Sequence, residues 1–479
     1  MYTPFGLFIA GEWRSSAAGA TAPVYSPVTE LSLGDCPVAA ETDTASAIAA
    51  AELGFKAWAS TAAFTRADAM HRIADEMLRR TDEAARMIST ETGKPIAQSQ
   101  REWGLSIDQF RWYAEEARRI YGRIVESRVP GGRFEVHHEP VGIVAAFTAW
   151  NFPAALIARK VAPALAAGCS IVVRPSSQTP GVAMVMVDCC RAGGLPPGTV
   201  NLVVGPTPAT YAPLMADKRV RKVSLTGSTR VGQQMIRDAA ATLKKVSMEL
   251  CGNAPVIVFD DADLEAALNV AVPTKFANAG QVCVTGDRFY VHDRLHDAFV
   301  DGFVKRAQAI KLGDGLDASV GMGPLINAGR VAEMEKIVAG AVGAGAKIAT
   351  GGQRAAGFNA GHFYQPTVLT DCTDDMAVMA EENFGPIAAI TRFTAEDEVL
   401  ARANASDMGL SAYAFTRDPA RARRTVAALK AGMVGINSFA MAASEAPFGG
   451  TNHSGMGREG GTEGIRDYLD VKSSQMVWA

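Results

Sequence analysis

KVSLTGSTRVG, residues 222–232, reads as a strand that runs through Gly227-Ser228-Thr229 into a helix. The start of such a helix offers free backbone N–H groups and a partial positive charge, which suit a phosphate or pyrophosphate. The same residues serve equally well as a glycine turn with a serine N-cap. The pattern recurs on both sides. Apolar runs SIVV (170–173), VNLVV (200–204), KVSM (245–248) and PVIVF (255–259) are separated by helical segments, the signature of parallel βαβ units and an open α/β domain. A second alternating region follows Asp263, with strands expected near 288–291, 347–349, 388–393, 412–415 and 434–436, and the boundary between the halves lies near Leu250. Upstream, Ala, Glu, Arg and Met with apolar residues at three and four spacing predict helices over 41–58, 65–90 and about 95–120. After Gly131-Gly132 the segments FEVHHEP and VGIVAAF read as strands.

The totals narrow the function. The 479 residues suggest about three domains of common size. With 48% hydrophobic and 20% charged residues the chain is an ordinary globular one, and a net charge of −3 supports neither a nucleic-acid groove nor an anionic membrane surface. The expected partner is a small molecule. The N-terminal residues show no signal-peptide pattern and no apolar run reaches the roughly 18 residues of a membrane span, so a cytoplasmic protein is expected. Seven cysteines (Cys36, Cys169, Cys189, Cys190, Cys251, Cys283 and Cys372) form no Cys-x-x-Cys pair and read as reduced thiols. The seven histidines show no ligand spacing, so no protein-bound metal is expected.

Chemistry concentrates in FANAGQVC (276–283), where Cys283 follows a Gly-Gln-Val turn after an apolar, helix-compatible segment. A thiol at a loop tip is a candidate nucleophile, against the ordinary reading of cysteine as a small buried filler. AWNFP (149–153) sits at the carboxyl end of the VGIVAAF strand, where open α/β sheets place their ligands. The amide of Asn151 can donate to a developing oxyanion or, in the ordinary reading, bond its own turn. A literal Gly-x-Gly-x-x-Gly at Gly455, Gly457 and Gly460 is set aside, because it lies near the C-terminus after a Pro/Gly-rich loop rather than in an early βαβ unit.

AWNFP, RPSSQTP, LTGSTRVG, MELCGN, FANAGQVC, EENFGP and PFGGTNHSGMGRE, in that order, resemble the aldehyde dehydrogenase superfamily over nearly the whole chain. The resemblance implies that Cys283 is the nucleophile, Glu249 the general base and Asn151 an oxyanion donor, with Lys160 and Glu459 also in the active site. It assigns Trp150, Arg174, Ser177, Gly205, Gly227, Ser228, Glu382 and Phe384 to a bound NAD(P). The implied reaction is oxidation of an aldehyde to a carboxylic acid through a thiohemiacetal and a thioester on Cys283. Implied too are a fold with an open α/β cofactor-binding domain (1–122 and 141–250), an α/β catalytic domain (251–446), and a β oligomerisation arm with the C-terminal segment (123–140 and 447–479). A homodimer or homotetramer follows, with FEVHHEP and the C-terminal strand paired in the arm.

Departures from the family pattern sharpen this. Arg174 stands where lysine is usual and Ser177 where NAD-preferring members often carry glutamate, which implies preference for NADP with NAD usable. Cys251 replaces a glycine of the base motif and reads as filler. Thr285 stands where some relatives carry a second redox cysteine, so no disulfide switch is expected there. Within the superfamily the chain is most similar to succinate semialdehyde dehydrogenases, whose two carboxylate-gripping arginines match Arg159 and Arg288; an assisting serine falls at Ala443, with Ser444 beside it. The alternatives are another semialdehyde acid (α-ketoglutarate or glutarate semialdehyde), a neutral aldehyde, transfer of the thioester to CoA, or a thiol esterase.

Overall fold

The computed structural model describes residue 2 and residues 5–478. The quoted stretch is the strand Val220–Thr226 followed by the helix Thr229–Ala240. Ser228 caps that helix, its Oγ accepting from the Val231 N–H at 3.4 Å. Gly232, Met235 and Ala239 form its buried stripe. A side chain at Gly232 would strike Leu250, so the helix lies close against the segment after Glu249.

Five parallel strands make the heart of an eight-stranded sheet, ordered Val200–Leu202, Ser170–Arg174, Ile143–Phe147, Val220–Thr226 and Lys245–Glu249. The chain builds outward from Ile143–Phe147 on one side, then crosses back to add Val220–Thr226 on the other. That reversal makes a switch point, where the carboxyl ends of the strands open a crevice. Leu7–Ile9, Glu12–Arg14 and the short Gly455–Met456 extend the sheet antiparallel.

The chain leaves this sheet at Glu249 and enters a seven-stranded one at Ala254. Its order is Lys347–Thr350, Thr367–Thr370, Ile387–Phe393, Gly286–His292, Ala254–Val258, Ser411–Phe415 and Met433–Ile436, parallel except at the first pair. Leu469–Val477 pairs antiparallel with Gly132–Pro140, and Arg123–Glu126 covers the opposite edge, which makes a separate three-stranded arm. Ile124, Val471 and Trp478 are exposed on it.

Two expectations change in detail. The helix predicted over 65–90 is two, Ala63–Arg79 and Thr81–Thr92, because Arg80 leaves helical geometry (φ −100°, ψ 19°) and pairs with Glu83 and Asp188. The strands Leu7–Ile9 and Thr367–Thr370 were not anticipated: three or four residues are too few for a readable period. Among the described residues no group of three or more His, Cys, Asp or Glu is placed to hold a metal, and no helix is long and apolar enough to cross a membrane.

Candidate active site

A cavity of about 520 Å³ opens at the switch point. Trp150 and Asn151, Gly227 and Ser228, and Glu249 line one side, all just past the ends of adjacent parallel strands. Cys283 lines the other, presented by the 3-10 turn Ala277–Gly280. Asn278, Ala279 and Gly280 have φ of 47°, 54° and 71°, an unusual left-handed run that must be held from outside. Gln98 Oε1 accepts from the Asn278 backbone N–H at 2.9 Å, and the Gln281 side chain donates to the Asn278 carbonyl at 3.0 Å while accepting from the Ile326 N–H at 2.9 Å. Gly280 has no alternative, since a Cβ there would sit 2.0 Å from the Gly385 carbonyl oxygen. The result is a half-buried thiol packed near Leu410, Met433 and Phe448.

Asn151 is fixed from the same turn. Its backbone carbonyl accepts from Lys94 Nζ at 2.8 Å and from Asn278 Nδ2 at 3.0 Å, and its own Nδ2 donates to the Gln281 carbonyl at 3.1 Å. Lys94 and Glu102 form a fully buried ion pair, and Glu102 Oε1 accepts from the Ala154 and Ala155 N–H groups at 2.8 and 3.3 Å. This pair therefore locks both the asparagine and the start of the helix Ala155–Ala167, which carries Arg159 and Lys160. Lys160 is buried, donates to Thr226 Oγ1 at 2.8 Å and pairs with Glu459.

Glu249 ends its strand with Oε2 buried and unpartnered. Burial first, and repulsion from Glu459 second, push its carboxyl well above the usual range, against the pull of Lys160 and Arg159. Burial likewise pushes the Cys283 thiol far up, helped by the charges of Glu382 and Glu249 and opposed by Arg159. Gly449 lies against Glu249 Oε1, where a Cβ would come within 2.7 Å, and a Cβ on Gly455 would meet the Met248 carbonyl oxygen at 1.8 Å. The glycine motif set aside as a nucleotide fingerprint thus lets its loop press on the strand that carries Glu249.

The remaining cofactor candidates fall in two groups on one sheet edge. Glu382 and Phe384 line the Cys283 cavity, with Phe384 edge-to-face on Trp150 at 5.5 Å. Burial raises the Glu382 carboxyl to about 7, while the Cys251 thiol and the Gly252 N–H at 2.9 Å pull the other way. Cys251 lines the same cavity, and burial pushes its thiol up to about 12. Gly252 is the glycine the motif requires, because a Cβ there would lie 2.4 Å from the Cys283 carbonyl oxygen. Arg174, Ser177 and Gly205 line a second cavity of about 920 Å³ past the strands Ser170–Arg174 and Val200–Leu202, with Arg174 Nη2 donating to the Gly205 carbonyl at 2.9 Å. Two cavities, a helix N-terminus between carboxyl ends and a buried carboxyl opposite it fit an extended dinucleotide.

The substrate candidates separate. Arg159 is 6% exposed, forms no ion pair among the described residues, leaves Nη1 unpartnered and lies 4.2 Å over the Phe448 ring centroid. Arg288 does not join it. Its guanidinium donates to the carbonyls of Asn253 (3.1 Å), Ala403 (3.0 Å) and Arg402 (3.5 Å) and to the Tyr290 hydroxyl (3.3 Å), and it borders a different cavity with Asp374 and Arg402. The expectation that Arg288 grips a substrate is corrected: its strand aims it across the second sheet, where backbone oxygens consume its donors. Ser444 is buried and its Oγ accepts from Gln109 Nε2 at 3.0 Å. The sequence reading also missed Lys94, Glu102 and Arg330. Arg330 Nη2 donates to the Asn383 and Phe384 carbonyls, both at 2.8 Å, and so holds the loop beside Glu382. Nothing local in the sequence marks a buried lysine or a loop-holding arginine.

A thiol, an amide and a carboxylate facing one crevice, with room for a dinucleotide along the same edge, is the layout of a nucleotide-linked α/β oxidoreductase. The aldehyde dehydrogenase family profile matches residues 13–474. A 3-sulfolactaldehyde dehydrogenase of Pseudomonas putida is 44% identical over 97% of this chain and 95% of its own length. A succinate-semialdehyde dehydrogenase [NADP(+)] of Escherichia coli is 42% identical over 97% and 96%. The crystal structure of a succinate-semialdehyde dehydrogenase from Burkholderia pseudomallei superposes with a TM-score of 0.97 at 42% identity, covering 99% of this chain and 98% of that one. The chain belongs to the aldehyde dehydrogenase family and is an NAD(P)-dependent enzyme.

Proposed function

We propose that the protein oxidises a small aldehyde with an anionic group at its far end, succinate semialdehyde or a close relative, to the corresponding acid. The observation that carries this reading is Arg159: a buried guanidinium with no counter-ion among the described residues, over a phenylalanine of the apolar cluster against which Cys283 packs. A buried cation left unpaired is costly unless a ligand completes it. The similar proteins named above act, by their names, on aldehydes that end in a carboxylate or a sulfonate.

In the proposed mechanism Cys283 attacks the aldehyde carbon after losing its proton, and Glu249 is the nearby carboxylate with the raised affinity to take it. One N–H of Asn151 Nδ2 stays on the Gln281 carbonyl while the other meets the oxyanion, joined by the Cys283 backbone N–H. Trp150, Gly227, Ser228, Glu382 and Phe384 at one end and Arg174, Ser177 and Gly205 at the other would hold NAD(P), which would accept the hydride when bound. Loss of hydride from the thiohemiacetal carbon leaves the thioester on Cys283; once the first proton has left Glu249 by way of Glu459 and Lys160, Glu249 takes a proton from the water that hydrolyses the thioester, releasing the acid and the thiol. A serine with an arginine at the ribose end supports NADP over NAD.

We further assign the arm to self-association as a homodimer or homotetramer, supported by its exposed Ile124, Val471 and Trp478. Seven free thiols support a cytoplasmic setting. The test is a panel of aldehydes, semialdehyde acids against neutral chains of equal length, followed through formation of reduced cofactor with NADP and with NAD. A kcat/KM for butanal equal to that for succinate semialdehyde would end the acid reading.

A further inference from the structure

Asn151 and Cys283 reach the crevice from different halves of the molecule. Asn151 follows the strand Ile143–Phe147 of the first sheet, and Cys283 precedes the strand Gly286–His292 of the second. Their separation is therefore set by what joins the halves. Asn151 lies outside any strand or helix, and among the described residues no backbone N–H bonds its carbonyl. Two side chains do, Asn278 Nδ2 from the turn that presents Cys283, at 3.0 Å, and Lys94 Nζ, at 2.8 Å.

Lys94 comes from the segment 93–95, between the helices Thr81–Thr92 and Ile96–Ala117. That segment is wedged against the second half. A Cβ on Gly323 would sit 1.9 Å from the Gly93 carbonyl oxygen, and one on Gly315 would sit 2.2 Å from the Lys94 carbonyl oxygen. The Gly315 carbonyl also accepts from the Ile96 N–H at 2.7 Å. The helix that follows continues the brace: Gln98 holds the Asn278 N–H, and one turn later Glu102 accepts from Lys94 Nζ at 2.5 Å and from the Ala154 and Ala155 N–H groups. Phe152 covers the ammonium, its ring centroid 3.9 Å from Nζ. Both charged side chains are fully buried, so water does not stand in for a lost bond. A buried ion pair is a costly way to hold a turn for stability alone, since an apolar pair of similar volume often serves the fold as well. What this pair adds is a fixed place for the residue beside the nucleophile.

We propose that Lys94 and Glu102 are positioning residues for the oxyanion contact: across the junction of the two halves they hold Asn151 at the distance from Cys283 that the tetrahedral intermediate requires. A misplacement of about 1 Å in such a contact costs about 10²-fold in rate. This rests on the reading of Asn151 as oxyanion donor given above.

Lys94→Met alone leaves Glu102 buried without its cation, so the variant is Lys94→Met/Glu102→Gln, whose amide oxygen still accepts from Ala154 and Ala155. With succinate semialdehyde and NADP, kcat and kcat/KM are expected to fall together by about 10–100-fold, the mark of a contact made only in the transition state. Melting temperature and the rate of Cys283 alkylation by iodoacetamide, which needs no oxyanion contact, should stay near wild type. Lys94→Gln, which keeps an N–H donor without the charge, should show a smaller loss of the same kind. Asn151→Ala is expected to lower kcat by about 10²–10³-fold, and adding the double variant to it to cost no more than about twofold, because a group that acts through Asn151 has nothing left to position. Undiminished kcat in the double variant and in Lys94→Gln, or a further loss of about tenfold on the Asn151→Ala background, overturns the inference and leaves Asn151 as the donor. If Asn151→Ala keeps its kcat, the oxyanion reading and this inference fall together.

Discussion

Arg159 and Arg288 are both arginines with little exposure, at 6% and 4%, and they stand in opposite chemical states. Arg288 spends its donors on three backbone carbonyls and a tyrosine hydroxyl, in the interior of the second sheet. Arg159 stacks on Phe448 and leaves Nη1 without a partner at the edge of the first. Glu249 Oε2 and Gln109 Oε1 are buried and unpaired near Arg159, whereas Tyr290 and Arg402 beside Arg288 both pair with Asp374. The protein completes the bonds of Arg288 and leaves Arg159 Nη1 open, which marks Arg159 and not Arg288 as the group for a ligand to complete.

The largest effect that can break this comparison lies at the unpaired carboxyl. Glu249→Gln is expected to lower kcat by about 10²–10⁴-fold, the usual worth of a general base, with no loss of melting temperature, because a costly buried acid is replaced by a neutral amide of the same shape. A parallel fall in kcat and melting temperature would return Glu249 to the structural group. Next is the arginine pair itself. Arg159→Gln should reduce the ratio of kcat/KM for succinate semialdehyde over butanal by about 10–100-fold, the worth of a hydrogen bond to a charged group. Arg288→Gln should leave that ratio unchanged and lower the melting temperature, since it strands the carbonyls of Asn253 and Ala403. Exchange of the two outcomes would invert the assignment.

The division also explains what could be read in advance. Strands such as Val220–Thr226 and Ser411–Phe415 were legible because an apolar run bounded by turn residues is a local signal. Cys283, Glu249 and Asn151 were legible because each sits in a short motif at the end of an element. Arg288 was misread for a related reason. Lying five residues after the nucleophile in sequence says nothing about direction, and Arg288 is on a strand in the middle of a parallel sheet, flanked by Ala254–Val258 and Ile387–Phe393. Lys94 and Glu102 were invisible because their role is long-range: they come from either side of a helix start and act on a loop some fifty residues away.

Smaller effects sharpen the two ends of the cofactor groove. Ser177→Glu is expected to shift the NADP-to-NAD ratio of kcat/KM toward NAD by about tenfold, through repulsion of a 2′-phosphate and new bonds to the ribose hydroxyls. An unchanged ratio would detach Ser177 from specificity. The smallest effect concerns Glu382, whose carboxyl is raised by burial from 4.5 to about 7 in the folded protein. Below 4.5 both folded and unfolded chains hold the proton. Between 4.5 and about 7 only the folded chain does, so stability from this group falls as pH rises through that window and is lost above it. The wild-type melting temperature should therefore drop further than that of Glu382→Gln between about pH 5 and about pH 8. Equal slopes would mean that the Cys251 thiol and the Gly252 N–H already satisfy the ionised carboxylate.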